Sequence, residues 1–212
     1  MRFAALPQTA LFLTALLLPA QAPAPEKATA FERAVVQEMS DARVRPRLYA
    51  AYLRELRGNF KGTLWERPER VPLRTDEGVV ALDEAIAFLE STQPAGPLRF
   101  NEGLARAARL HARDIGPRGE LEHVGADGSS LSVRLNRLGT WQSHIAENIG
   151  TYEDDPRQVV IQLLVDDGVP SRGHRHNLFD PDLHQAGAGV APHSVYRTVI
   201  VIDYADGYVA RR

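Results

Sequence analysis

No cysteine occurs in the 212-residue chain. That excludes disulfides, thiolate metal ligands, a cysteine nucleophile and a lipoprotein anchor. An exported chain of this kind must be held by its core alone, which this length permits. Lysine is scarce, at Lys27 and Lys61 only, and the many arginines are scattered. Net charge is -2, so there is no basic field to attract nucleic acid, and no nucleic-acid partner is expected. No HExxH pair of histidines is present, no internal repeat, and no strand leading through a glycine-rich turn into a helix as a dinucleotide site requires. Hydrophobic content of 44% and charged content of 25% are those of an ordinary globular chain, with one sizeable core or at most two small domains.

Among what is present, the N-terminus reads as an export signal over residues 1–22. Arg2 gives the positive charge, Ala10 to Leu18 an apolar run with one threonine, and Ala20-Gln21-Ala22 a small-residue cleavage pattern. The run is shorter than the roughly 20 residues a membrane span needs. A secreted or periplasmic protein is expected, with no transmembrane segment once mature. Residues 23–30 follow as a linker.

Periodicity then predicts helices. Phe31, Val35, Val36 and Met39 mark one from Thr29 to about Asp41, and Pro46 starts a second. Arg57 to Arg74 reads as a long loop, with Trp65 as a clamp onto the core or, alternatively, a ligand-stacking residue. Thr75 is expected to cap a third helix and Asn101 a fourth. On the fourth, His111 lies on the apolar stripe as a core histidine. Ser129 or Ser130 caps a short helix, and Asp155-Pro156 starts another. Trp141 to Gly150 is irregular or a short strand. Ala186 to Ala191 and Val195 to Tyr204 are strands, the second apolar on both faces. Helices first and strands late make an α+β domain, or a three-layer α/β/α one.

One stretch concentrates the chemistry: Asp166-Asp167-Gly168-Val169-Pro170-Ser171-Arg172-Gly173-His174-Arg175-His176-Asn177. Together with His123 and Glu147 upstream, Asp166 and His174 lie at or beyond the ends of predicted elements, where polar groups can face a cleft. Two imidazoles and two carboxylates suit zinc or another divalent metal. They equally suit acid–base work, or a polar network that ties loops to the sheet. His144 lies close enough to Glu147 to enter the cleft. His176, His184 and His193 are expected at the surface.

These segments, with Leu121-Glu122-His123-Val124-Gly125-Ala126-Asp127-Gly128-Ser129 and Ala146-Glu147-Asn148-Ile149, resemble the CAP superfamily: the cysteine-rich secretory proteins, antigen 5 and pathogenesis-related proteins, whose domain is also called SCP. The bacterial branch is the most similar, and the likeness spans about residues 31–208. It implies a three-layer α-β-α sandwich around a mainly antiparallel sheet, with a cleft lined by His123, Glu147, His174 and a second acid. That acid is placed at Asp166, with Asp167 as runner-up. Some members hold zinc or another divalent cation there. Three departures stand out: Ala146 where a glycine is usual, an aspartate where many relatives carry glutamate, and an extended segment over 45–96 that covers or extends the cleft.

The family has no single activity. Three functions are therefore expected in competition. The first is a secreted, non-catalytic binding domain for a small amphipathic molecule or an envelope component. It is favoured because Ser129, Ser130 and Ser171 sit in turn or cap contexts and leave no evident nucleophile. The second is a metal-assisted hydrolase with Glu147 as general base. The third is a protein-interaction module of the envelope.

Overall fold

The computed structural model describes residues 26–67, 71–151 and 155–211. The expected export signal lies outside them. The central sheet has four strands in the order β4-β7-β8-β6: β4 (Arg99–Phe100), β7 (Gln185–His193), β8 (Arg197–Ala205) and β6 (Ile145–Thr151). β4 runs parallel to β7 and the other pairs are antiparallel. Side chains alternate along each strand. Ile200, Ile202 and Tyr204 pack on one face with α1 (Ala30–Val44), α6 (Pro156–Val165) and α7 (Gly173–Phe179). Val199 and Val201 pack on the other with α4 (Glu102–Ile115). The result is the three-layer α-β-α sandwich.

α4 lies very close to β7. A Cβ on Gly187 would fall 2.0 Å from the Ala105 nitrogen, and one on Gly189 2.0 Å from that of Arg109. The small residues of this strand are what let the helix backbone settle onto the sheet.

Caps set the helix ends. Thr29 and Glu32 form a capping box on α1, and Asn101 accepts from Gly103 and Leu104 at the start of α4. Ser130 accepts from Val133 to start α5 (Leu131–Leu138), and Asp155 from Arg157 to start α6. α1 runs three residues past the expected end at Asp41. The 57–74 segment, expected as a loop, forms a small antiparallel sheet of β1 (Phe60–Lys61), β2 (Leu64–Trp65) and β3 (Leu73–Arg74). Thr75 closes that sheet through Thr63 O rather than capping a helix, and α3 (Val79–Ser91) starts behind Gly78. With α2 (Pro46–Arg57), these pieces make the 45–96 insertion. Two further strands, β5 (Gly139–Trp141) and β9 (Tyr208–Ala210), pair with each other. Among the described residues no helix is long and apolar enough to cross a membrane.

His193 is buried rather than exposed. Its Nδ1 accepts from the Val195 and Tyr196 amides, so the Nε2–H faces Glu120 O and the ring pins a turn. His111 is buried as expected. Its Nε2–H donates to Glu122 O at 2.9 Å, and burial pushes its pKa down.

Candidate functional site

Among the described residues β6 is an edge strand that pairs with β8, and its alternation sorts the site. Glu147 stands opposite Asp203 on the α4 face. Asn148 turns to the other face, where its amide donates to the His174 carbonyl at 3.1 Å and to the Tyr204 hydroxyl at 2.9 Å. The four expected site residues therefore form two pairs, one on each side of this strand.

The first pair is His123 and Glu147. His123 comes from the loop after α4, and its Nδ1 lies 2.8 Å from Glu147 Oε1. The other carboxylate oxygen accepts from Arg134 of α5 at 2.5 Å. Arg134 also donates to the carbonyls of His123 and Ser129, fixing the loop around the ring. Burial acts to raise the Glu147 pKa, but the His123 hydrogen bond and the Arg134 charge outweigh it and hold the carboxyl below its ordinary value. The same hydrogen bond raises His123. Asp203 is fully buried, and among the described residues no group donates a hydrogen bond to either of its oxygens. Burial, with the negative charge of Glu147 beside it, pushes its pKa well up.

The second pair is His174 and Asp166. Asp166 ends α6 in a left-handed conformation, φ 54°, which turns its carboxylate toward the start of α7. There it accepts from His174 Nδ1 at 2.7 Å, from the His174 amide at 2.9 Å and from the Arg175 amide at 3.4 Å. Negative charge at a helix start is favourable. Asp167, the runner-up for the second acid, instead accepts from the amides of Asp76 and Glu77 and fastens the insertion. Arg175 turns away, to the carbonyls of Leu164 and Val165 and to Glu84. His176 is exposed, and α7 places it two residues round from His174, on a different face. His144 pairs with Asp180 and not with Glu147.

Among the described residues the Nε2 atoms of His123 and His174 have no hydrogen-bond partner, each on a ring oriented by a carboxylate at Nδ1. The donor set does not fit a four-ligand metal centre. Both oxygens of Glu147 and both of Asp166 are taken by hydrogen bonds, and the Arg134 cation touches Glu147. Among the described residues, no three His, Asp or Glu side chains are grouped to hold a metal ion. Nor does any serine or threonine hydroxyl hydrogen-bond to either ring among them.

Beside the second pair lies a cavity of about 240 Å³ between the insertion and the core. Its wall includes Trp65, Leu82, Val159 and Ile200, with Asp166 and His174. His123 and Glu147 are not part of it. Sequence reasoning missed Arg134 and Asp203, yet both left a signal. Arg134 occupies the apolar stripe of α5, between Leu131, Leu135 and Leu138, where a cation has to meet a buried acid. Asp203 interrupts an apolar strand.

The family model of the cysteine-rich secretory proteins matches residues 49–204. It opens inside α2, so α1 lies before it. Among solved structures, the chain is similar to an extracellular protein containing an SCP domain from Bacillus anthracis str. Ames, with TM-score 0.43 and 20% identity. That match covers 60% of this chain and 39% of the other, so the chain spans less than half of that protein's length. It is also similar to an outer surface protein from Borrelia burgdorferi, with TM-score 0.42 and 15% identity over 60% of this chain and 89% of that one. No curated protein matches significantly. Membership rests on the family match, which takes in most of the sequence and both histidine–acid pairs: the chain belongs to the cysteine-rich secretory protein, or CAP, family.

Proposed function

We propose that this CAP protein is exported and binds, without chemical turnover, a small amphipathic molecule of the cell envelope in the cavity beside His174. The observation that carries this reading is the cavity itself. Its roughly 240 Å³ exceeds the ~150 Å³ in which an apolar cavity takes up a benzene-sized molecule. Its wall is mostly aliphatic and aromatic, with polar side chains that include Arg74, Gln162, Asp166 and His174, the composition of small-molecule sites. Glu147 is clamped between His123 and Arg134 and is not free to act as a base on water, so the reading excludes turnover at that pair. A saturable one-to-one titration with 1-octanol, followed by NMR, tests it. Val165→Trp, which puts bulk into the wall, is expected to weaken binding at least tenfold. Unchanged affinity in Val165→Trp, or no saturation in the wild type, overturns the proposal.

A further inference from the structure

One border of the cavity is main chain. Ile149, Gly150 and Thr151 all line it, yet successive strand side chains point to opposite faces. The Ile149 side chain packs with α4, on the far face of the sheet. What the three residues share toward the cavity is the free edge of β6. The direction of the main-chain groups along that edge follows from the ladder. The His144 carbonyl accepts from the Asp206 amide at 3.0 Å. In this antiparallel register the residues that bond to β8 are therefore Ala146, Asn148 and Gly150. Glu147, Ile149 and Thr151 alternate with them and turn their N–H and C=O groups outward. The Glu147 carbonyl is met there by Asn177 of α7, which donates to it at 3.3 Å. Among the described residues, no group hydrogen-bonds to the outward groups of Ile149 or Thr151. An edge left open in this way is a template for another strand. Beside it, a Cβ on Gly150 would meet nothing within 4 Å. That open position is on the sheet face of Ile200, where Leu82 and Val159 also line the cavity.

Resting on the cavity reading above, we propose that the ligand is a short extended peptide, which adds a strand to β6 and places one apolar side chain in the cavity. An extended peptide presents the N–H and C=O of every second residue along one side, and Ile149 and Thr151 leave open the matching pattern. The peptide residue between those two contacts stands opposite Gly150. Its side chain then falls on the cavity face, toward Leu82 and Val159. Glycine at position 150 leaves that place to the ligand. A simple alcohol fills the same space but cannot reach both outward residues, so the edge adds affinity for a peptide that the cavity alone does not supply.

The capped tripeptide acetyl-Ala-Leu-Ala-amide, titrated into the full chain by NMR, tests this. It is expected to saturate at one to one and to shift the amides of residues 147–151 most. Methylating both alanine nitrogens, whose N–H groups face β6, is expected to weaken binding at least tenfold, about the loss of two net hydrogen bonds. Methylating the leucine nitrogen, which faces away from β6, is expected to change it by less than about threefold, below the loss of one net hydrogen bond. Thr151→Pro removes an outward N–H that the ladder does not use, and is expected to weaken the tripeptide about fivefold. Equal losses on methylating alanine and leucine nitrogens overturn strand addition. If 1-octanol binds and the tripeptide does not, this inference falls and the cavity reading stands; if neither binds, both fall. A dimer of the free chain that the tripeptide dissociates, seen by sedimentation, assigns the edge to a second copy and overturns the peptide as its partner. Should Thr151→Pro not fold, the methylation pattern still decides.

Discussion

At the residue scale, the edge strand joins two carboxyl groups that behave in opposite ways for stated reasons. Glu147 keeps its charge because His123 and Arg134 surround it. Asp203, directly across the ladder, has no donor among the described residues and is fully buried. Its folded pKa is raised above the unfolded value of about 3.9. Folding therefore retains a proton that the unfolded chain loses, and stability falls as pH rises from about 4 toward the folded pKa. Asp203→Asn carries no such proton. It is expected to be more stable than the wild type by on the order of 1 kcal/mol at pH 7, the gain vanishing below about pH 4. Thermal melts across that range check it; a gain that persists at pH 3 would show that charge is not the cause.

At the element scale, the decisive contact is α4 on β7. The strand is made of Ala186, Gly187, Ala188 and Gly189 because the helix backbone fills the space a side chain would need. Gly189→Ala is expected to cost ~3 kcal/mol or more through displacement of α4. Gly96→Ala is the comparison, since no atom lies within 4 Å of a Cβ there; it is expected to stay within ~0.5 kcal/mol. Urea denaturation of both variants measures the difference. Equal effects would mean that α4 has slack against the sheet.

At the scale of the whole molecule, the CAP core and the 45–96 insertion are joined by charge. Arg172 binds Glu77 at 2.6 Å and Glu84 at 2.7 Å, and it also donates to the Asp166 carbonyl. Asp167 and the Gly168 amide complete the joint from the core side. Arg43 fastens the insertion's far end, donating to the carbonyls of Gly96, Leu178, Asp180 and Leu183 from full burial. Removing Arg172 strips one joint while the core layers keep their packing. Arg172→Ala is expected to cost ~2–3 kcal/mol, because the Asp166 and Val169 carbonyls and both glutamates lose a partner. Hydrogen exchange should speed up at Asp76, Glu77 and the 60–65 hairpin and stay slow in α4 and β8. Uniform acceleration would show that the insertion and the core open as one unit.

Local chemistry written in the chain determined most of the elements. Capping residues and 3.6-residue periodicity located α1, α2, α4, α5 and α6, because both act within a few neighbours. Small or β-branched runs marked β7 and β8, and the motifs marked His123, Glu147, Asp166 and His174. Tertiary structure decided what no local rule encodes. The 57–74 segment gained a small sheet, in which Trp65 is buried and stacks on Phe60. Thr75 was drawn from a helix cap to Thr63. His193 was buried by a turn folding over it. Above all, alternation along β6 sent Glu147 and Asn148 to opposite faces, so the two histidine–acid pairs lie one on each face of an edge strand. Which face a side chain takes depends on the neighbouring strand's register, and β8 sets that register from more than fifty residues away.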